Sequence, residues 1–279
     1  MRVKLWGTRG TIPTPDSATS RYGGNTPCVE VLAASGDRLI LDGGLGLHWL
    51  GLGLIEDGFG SGKGTAHLLL THTHFAHIQG VPFCSPAMIP SNQFVVYGRG
   101  LGDDSLDDLL RKQMDTIYCP VPNFLSGSIG AHIDVREIQA GEFAIGAAKV
   151  SAGSLSHVPG TPAFGFRIEA DGAALAYLPD VEYVAGTDRE TALALAAQVD
   201  LLIHDAHFTA DEYTRMSGRG HCSADDAVSL AAAAGARRLL LFHHHPDRSD
   251  ADIDAMVASY ADASVLTEGA CEGAEYELG

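Results

Sequence analysis

Hydrophobic residues recur along this chain in short runs broken by glycine-rich turns. Residues 3–6 read as a strand, and 27–33 with 38–42 read as a hairpin across Ser35-Gly36-Asp37. Gly43-Gly44-Leu45-Gly46 breaks the second of these strands and predicts a turn into a short helix. The continuous run at 66–70 (AHLLL) has the pattern of a strand buried on both faces, and 94–97 predicts another. Leu106, Leu109 and Leu110 share one face of a helix predicted over 104–113. The second half repeats the pattern. Strands are predicted at 149–153, 163–169, 174–178, 201–204 and 239–242, and helices at 188–198 and 224–234, the last with Ser223 or Cys222 near its N-cap. No low-complexity linker divides the halves, and no short repeat is found. The expectation is one domain over residues 1–279, of the α/β class, built as a four-layer αββα sandwich. Residues 78–150 are expected to supply a lid and pocket wall, with Cys119-Pro120-Val121-Pro122 as a rigid turn.

Composition narrows the functional classes. The 35 acidic and 18 basic residues give a formal charge of −17, which repels phosphate backbones, and the adjacent basic residues come only as isolated pairs, Arg111-Lys112 and Arg237-Arg238. A nucleic-acid polymer is therefore not expected as partner; a small-molecule substrate is. No apolar run reaches the roughly 18 residues of a spanning helix, and the N-terminal residues show no signal-peptide pattern, so no membrane partner and a cytoplasmic location are expected. Five cysteines without C-x-x-C spacing point to reduced, structural thiols.

The histidines change the picture. Three of the 13 fall within 72–77, two more are His204 and His207, and three are consecutive at 243–245. His72 and His74, two apart in an extended segment after a buried strand, point the same way, and His77 returns on the next turn. Neutral imidazoles so placed suit zinc, with manganese or iron as alternatives.

Thr71-His72-Thr73-His74-Phe75-Ala76-His77 resembles the H-x-H-x-D-H motif of the metallo-β-lactamase superfamily. His157 in Ser154-Leu155-Ser156-His157, Asp180 after Ala176-Tyr177-Leu178-Pro179, and His243 after Leu239-Leu240-Leu241-Phe242 resemble its remaining ligand positions in order. Gly7-Thr8-Arg9-Gly10, Arg21-Tyr22-Gly23-Gly24-Asn25-Thr26, Leu41-Asp42-Gly43-Gly44 and His77-Ile78-Gln79-Gly80 resemble a bacterial branch related to cyclic-nucleotide phosphodiesterases and tRNA 3′-processing endonucleases. The resemblance implies one or two zinc ions held by His72, His74, His77, His157, Asp180 and His243. It implies a water activated by the metal for attack on a small phosphodiester, cyclic ones included. It also implies that Asp205 and His221 form a proton-handling pair, from the likeness of His204-Asp205-Ala206 and Gly220-His221-Cys222 to the family's acid and histidine segments. The plainer alternative is that His204 and Asp205 cap a strand and His221 lies in a loop. Asp42 resembles a residue that orients a metal-binding histidine, against an ordinary turn carboxylate. Homodimers are common in this branch, so a homodimer is a further expectation.

One position departs from the motif: Ala76 stands where the family has a metal-binding Asp. Alanine coordinates nothing. A natural one-metal enzyme, a replacement ligand (His244 or His245), and an engineered exchange each account for it. His207, His244 and His245 are open as ligands, supports of ligands or solvated groups, the solvated reading being favoured for His245. The alternatives in function are hydrolysis of an ester, lactone, thioester or amide, or a non-catalytic metal- or ligand-binding homologue.

Overall fold

Two seven-stranded mixed sheets organise the chain, each covered on its outer side by helices. The computed structural model describes residues 1–126, 129–183 and 186–279. The first sheet contains β1 (Arg2–Gly7), β2 (Cys28–Leu32), β3 (Arg38–Leu41), β4 (Thr65–Leu69), β5 (Gln93–Gly98) and β6 (His132–Glu137) in that spatial order. The second runs from β7 (Gly141–Ile145) through β8 (Ala148–Val158), β9 (Thr161–Ala170), β10 (Ala173–Leu178), β11 (Leu201–Asp205) and β12 (Arg238–Phe242) to β13 (Leu266–Gly269). β14 (Glu275–Glu277) returns to pair antiparallel with β1. The helices are α1 (Gly46–Glu56), α2 (Phe75–Ile78), α3 (Leu106–Gln113), α4 (Gly186–Ala196), α5 (Ala210–Met216), α6 (Ala224–Ala234) and α7 (Asp250–Ala258).

Period-two geometry explains the continuous apolar runs. Leu39, Leu41 and Leu69 face inward and meet Phe164, Phe166, Tyr177 and Phe242 of the opposite sheet, while Ile40 and Leu68 face outward to Leu47, Leu50 and Leu54 of α1. β10, β11 and β12 behave alike: Leu202 and Leu241 turn outward against Leu195 of α4 and Leu230 of α6. A strand with both faces covered has no solvent face to make polar. Each fully buried large side chain contributes about 1.5–3 kcal/mol. The result is the four-layer αββα sandwich, with its central core between the sheets.

Helix starts follow side-chain caps. Ser105, Thr209, Ser223 and Ser249 each accept from the backbone three residues on, and Asp108, Glu212, Asp226 and Asp252 answer in four capping boxes. Ser223, rather than Cys222, is thus the N-cap of α6.

Residues 78–150 differ from the expected lid. β5, β6, α3 and β7 lie within them, and Phe94, Val96, Leu106, Leu110 and Phe124 are buried in the outer core. Parallel pairing of β4, β5 and β6 extends the first sheet through this segment, so its apolar residues build a layer. Within the 119–122 turn Cys119 is buried and Pro120 and Pro122 are exposed, and residues 127 and 128 lie outside the described residues. All five cysteines are free. No helix of the described residues is long and apolar enough to cross a membrane.

Candidate metal centre

Sheet direction gathers the chemistry-bearing residues at one edge. β3, β4 and β5 run parallel to one another, as do β10, β11 and β12, and two antiparallel steps turn β8 the same way as β10. Asp42 follows β3, His72 follows β4, Asp180 follows β10 and His243 follows β12, while Asp205 ends β11 and His157 lies at the end of β8. Residues remote in sequence therefore share one strand-end edge.

After β4 the chain stays extended to His74 (φ −60°, ψ 147°) and then enters α2, which returns His77 to the same place. The His72 ring centroid is 4.5 Å from that of His74, 4.3 Å from His77 and 4.9 Å from His157. His157 Nε2 lies 3.0 Å from His74 Nδ1. Asp180 stands between the groups: Oδ2 is 3.0 Å from His77 Nε2, and Oδ1 is 3.4 Å from His243 Nε2 and 3.6 Å from His157 Nε2. The structure thus brings His72, His74, His77, His157, Asp180 and His243 into one cluster.

Supporting hydrogen bonds orient the rings. Asp42, at φ 62°, accepts from the Thr71 amide (2.8 Å), the Thr71 hydroxyl (3.0 Å), His77 Nδ1 (2.8 Å) and the Tyr177 hydroxyl (2.9 Å). The Thr71 oxygen lies 3.0 Å from His72 Nδ1 and accepts its proton, so one carboxylate fixes two imidazoles. His157 donates through Nδ1 to the Gly220 carbonyl at 2.6 Å. The Nε2 atoms of His72, His77 and His157 are thereby left as the lone-pair ends.

A cation fits this donor set. His72 Nε2 and His243 Nε2 are buried without a hydrogen-bond partner. Asp180 Oδ2 also lacks a hydrogen-bond partner: His77 Nε2, 3.0 Å away, is misaligned for one, and both atoms face a common point. Buried polar atoms without partners are costly, and a shared metal ion satisfies all of them. Burial, the largest influence, holds His72 and His243 well below the ordinary histidine range and His74 at about 4, so these rings are neutral. His77 behaves differently: burial disfavours its charge, but Asp180 and Asp42 outweigh it and raise the group to about 10. Without a cation the His77 Nε2 proton faces Asp180, and a bound cation would take that proton's place.

Asp205 and His221 form a second arrangement beside the first. His221 Nδ1 donates to Asp205 Oδ2 at 2.8 Å and lies 3.9 Å from Asp180 Oδ1. The amides of Val181 and His207 donate to the two Asp205 oxygens, fixing the carboxylate. Burial pushes Asp205 up to about 6, with His221 acting against it. His221 itself is raised, since Asp205 overcomes the effect of burial. His204 is not in the centre: it is buried on the other side of β11, with Nε2 2.6 Å from the Tyr183 hydroxyl.

The expected replacement ligands do not serve. His244 turns away, donating through Nε2 to the Ala270 carbonyl and packing edge-on against Tyr22. β12 ends at Phe242 and His243 takes a left-handed backbone (φ 58°), and the two rings part there. His245 is half-buried beside His207, its Nδ1 accepting from the Asp247 amide. His207 is buried, and its ring lies 4.3 Å from His221 and 5.2 Å from His243. Glu182 has no sequence signal at all. It is 2 % exposed and accepts from the amides of Gly218 and Gly220, pinning the loop that supports His157 and carries His221. Gly220, at φ 85°, leaves room for His157: an added Cβ would lie 2.6 Å from its Nδ1.

Comparison with known proteins agrees with this architecture. The family described as "Beta-lactamase superfamily domain" matches residues 60–244. A ribonuclease Z of Halorubrum lacusprofundi is 26% identical over 285 residues, covering 83% of this chain and 82% of that protein. The metallo-beta-lactamase fold protein YhfI of Bacillus subtilis superposes with a TM-score of 0.72 at 20% identity, covering 100% of this chain and 98% of that one. The short form of human tRNase Z gives 0.69 at 19%, covering 100% of both chains. Those two structures share the fold, and the family match spans both the His72–His77 segment and His243. The chain therefore belongs to the beta-lactamase superfamily, as one of its metal-dependent hydrolases.

Proposed function

We propose that this hydrolase cleaves a small phosphodiester at a centre of one or two zinc ions, manganese and iron being the alternatives. His72, His74 and His157 with Asp180 hold the first ion, and His77 and His243 belong to the second position. The observation that carries the reading is the convergence on one edge of unpartnered imidazole nitrogens, a buried carboxylate and an adjoining His–Asp pair. When bound, a divalent cation lowers the pKa of water to about 7 and stabilises negative charge on phosphoryl oxygens. His221, raised by Asp205, holds a proton at its ring for a departing oxygen, and Asp205 orients that ring. The ribonuclease Z relative supports a phosphodiester. The charge of −17 favours a small one over a polymer, and five free thiols suit a reducing cytoplasm.

The test is a three-way assay of the metal-loaded protein with bis-(p-nitrophenyl) phosphate, p-nitrophenyl acetate and a 3′-extended tRNA. Turnover of the first supports the proposal. Cleavage confined to the ester replaces it with carbonyl hydrolysis, and cleavage confined to the tRNA replaces it with an RNA-processing role.

Asp42 gives a sharper check. Asp42→Asn keeps a residue tolerant of positive φ but removes the charge that holds His72 and His77. Cation affinity is expected to fall about 10–100-fold, the range for groups supporting metal ligands. Competition against a chromophoric chelator measures it. Unchanged affinity would reduce Asp42 to a turn carboxylate.

A further inference from the structure

Position 76 lacks a donor, and the structure places another nearby. His207 comes from the segment after β11 and meets His243, ring centroids 5.2 Å apart, through the parallel pairing of β11 with β12. Ligand atoms of His207, His221 and His243 all lie within 4.8 Å of one another. His207 is held on two sides: its amide donates to Asp205 Oδ1 at 2.9 Å, and its Nδ1 donates to the His243 carbonyl at 2.8 Å. Nδ1 being engaged as a donor, Nε2 is the lone-pair end. His243 Nε2 is buried, unpartnered and 3.4 Å from Asp180 Oδ1. His221 Nδ1 is likewise committed, to Asp205, so ion counts on a His221 variant decide between it and His207.

We infer that His207 supplies the donor that Ala76 cannot, holding a second divalent cation together with His243 and Asp180. The inference rests on the metal-centre reading above. Exchanging a carboxylate for an imidazole removes one negative charge from the second position and leaves a neutral nitrogen, a donor well suited to zinc. Ala76 is then a natural feature of a rebuilt site.

The experiment is elemental analysis of the full-length chain, loaded with zinc and dialysed, alongside the absorption spectrum of its cobalt form. The protein as it stands is expected to hold about two ions per chain and His207→Ala about one. His207→Asn serves if the alanine variant misfolds, because its amide keeps a donor near the place of Nδ1 and lacks the free imidazole nitrogen. Adding Ala76→Asp to either variant is expected to restore about two. His221→Ala is expected to keep about two. Two ions retained without His207, or a second ion lost with His221, overturns the assignment. One ion in the unaltered chain overturns it too, while leaving the first position intact. No ion at all would overturn the metal-centre reading itself.

Discussion

Asp180→Ala is expected to abolish phosphodiester hydrolysis and to uncouple the stability of the fold from zinc. Asp180 is 2 % exposed, and its two oxygens face His77, His157 and His243 at 3.0–3.6 Å. No other carboxylate reaches all three rings among the described residues' ion pairs. A ligand that binds only the folded chain stabilises it by about 2.7 kcal/mol at a hundred times its dissociation constant. At about 2–4 °C per kcal/mol for a chain approaching this size, zinc should raise the melting temperature of the unaltered protein by roughly 5–10 °C. The Asp180→Ala protein should lose most of that rise. Thermal melts with zinc and with a chelator, paired with elemental analysis, decide the matter. A full zinc-dependent rise in the variant would show that the cation is held elsewhere.

His221→Ala is expected to lower turnover by about 10²–10⁴-fold, the usual contribution of a positioned proton donor. Its metal content should not change. Separate readouts are the mark of a proton-handling His221, which Asp205 holds at 2.8 Å and which lies 3.9 Å from Asp180. A group in the coordination sphere would lose metal and turnover together. Asp205→Asn should follow His221→Ala in direction, since the amide can no longer offer an oxygen at both positions that receive Val181, His207 and His221. An Asp205 variant with full turnover would return that residue to a merely structural part in β11.

Much of the fold was legible because its central strands are covered on both faces. Burial at 66–70, 174–178, 201–204 and 239–242 requires apolar side chains at consecutive positions, a pattern that needs no partner to be read. The edges were not legible. β6 is only partly buried, β14 is three residues long, and α5 buries none of its residues, so their existence depends on a neighbouring strand or a capping box. The lid expected at 78–150 failed for a related reason: pairing with β4, through bonds between backbone groups, turned it into sheet.

The same division holds at the centre. Local spacing alone places His72, His74 and His77 together, since an extended segment entering a helix turns all three one way. Linear order cannot say which side of β12 a consecutive trio will face. The motif resemblance singled out His243, but only packing showed His244 on the Ala270 carbonyl and His207 beside His243. Donor types are a local property of residues, whereas a coordination position requires lone pairs from several strands to meet, and that depends on sheet order, strand direction and the hydrogen bonds that set each ring.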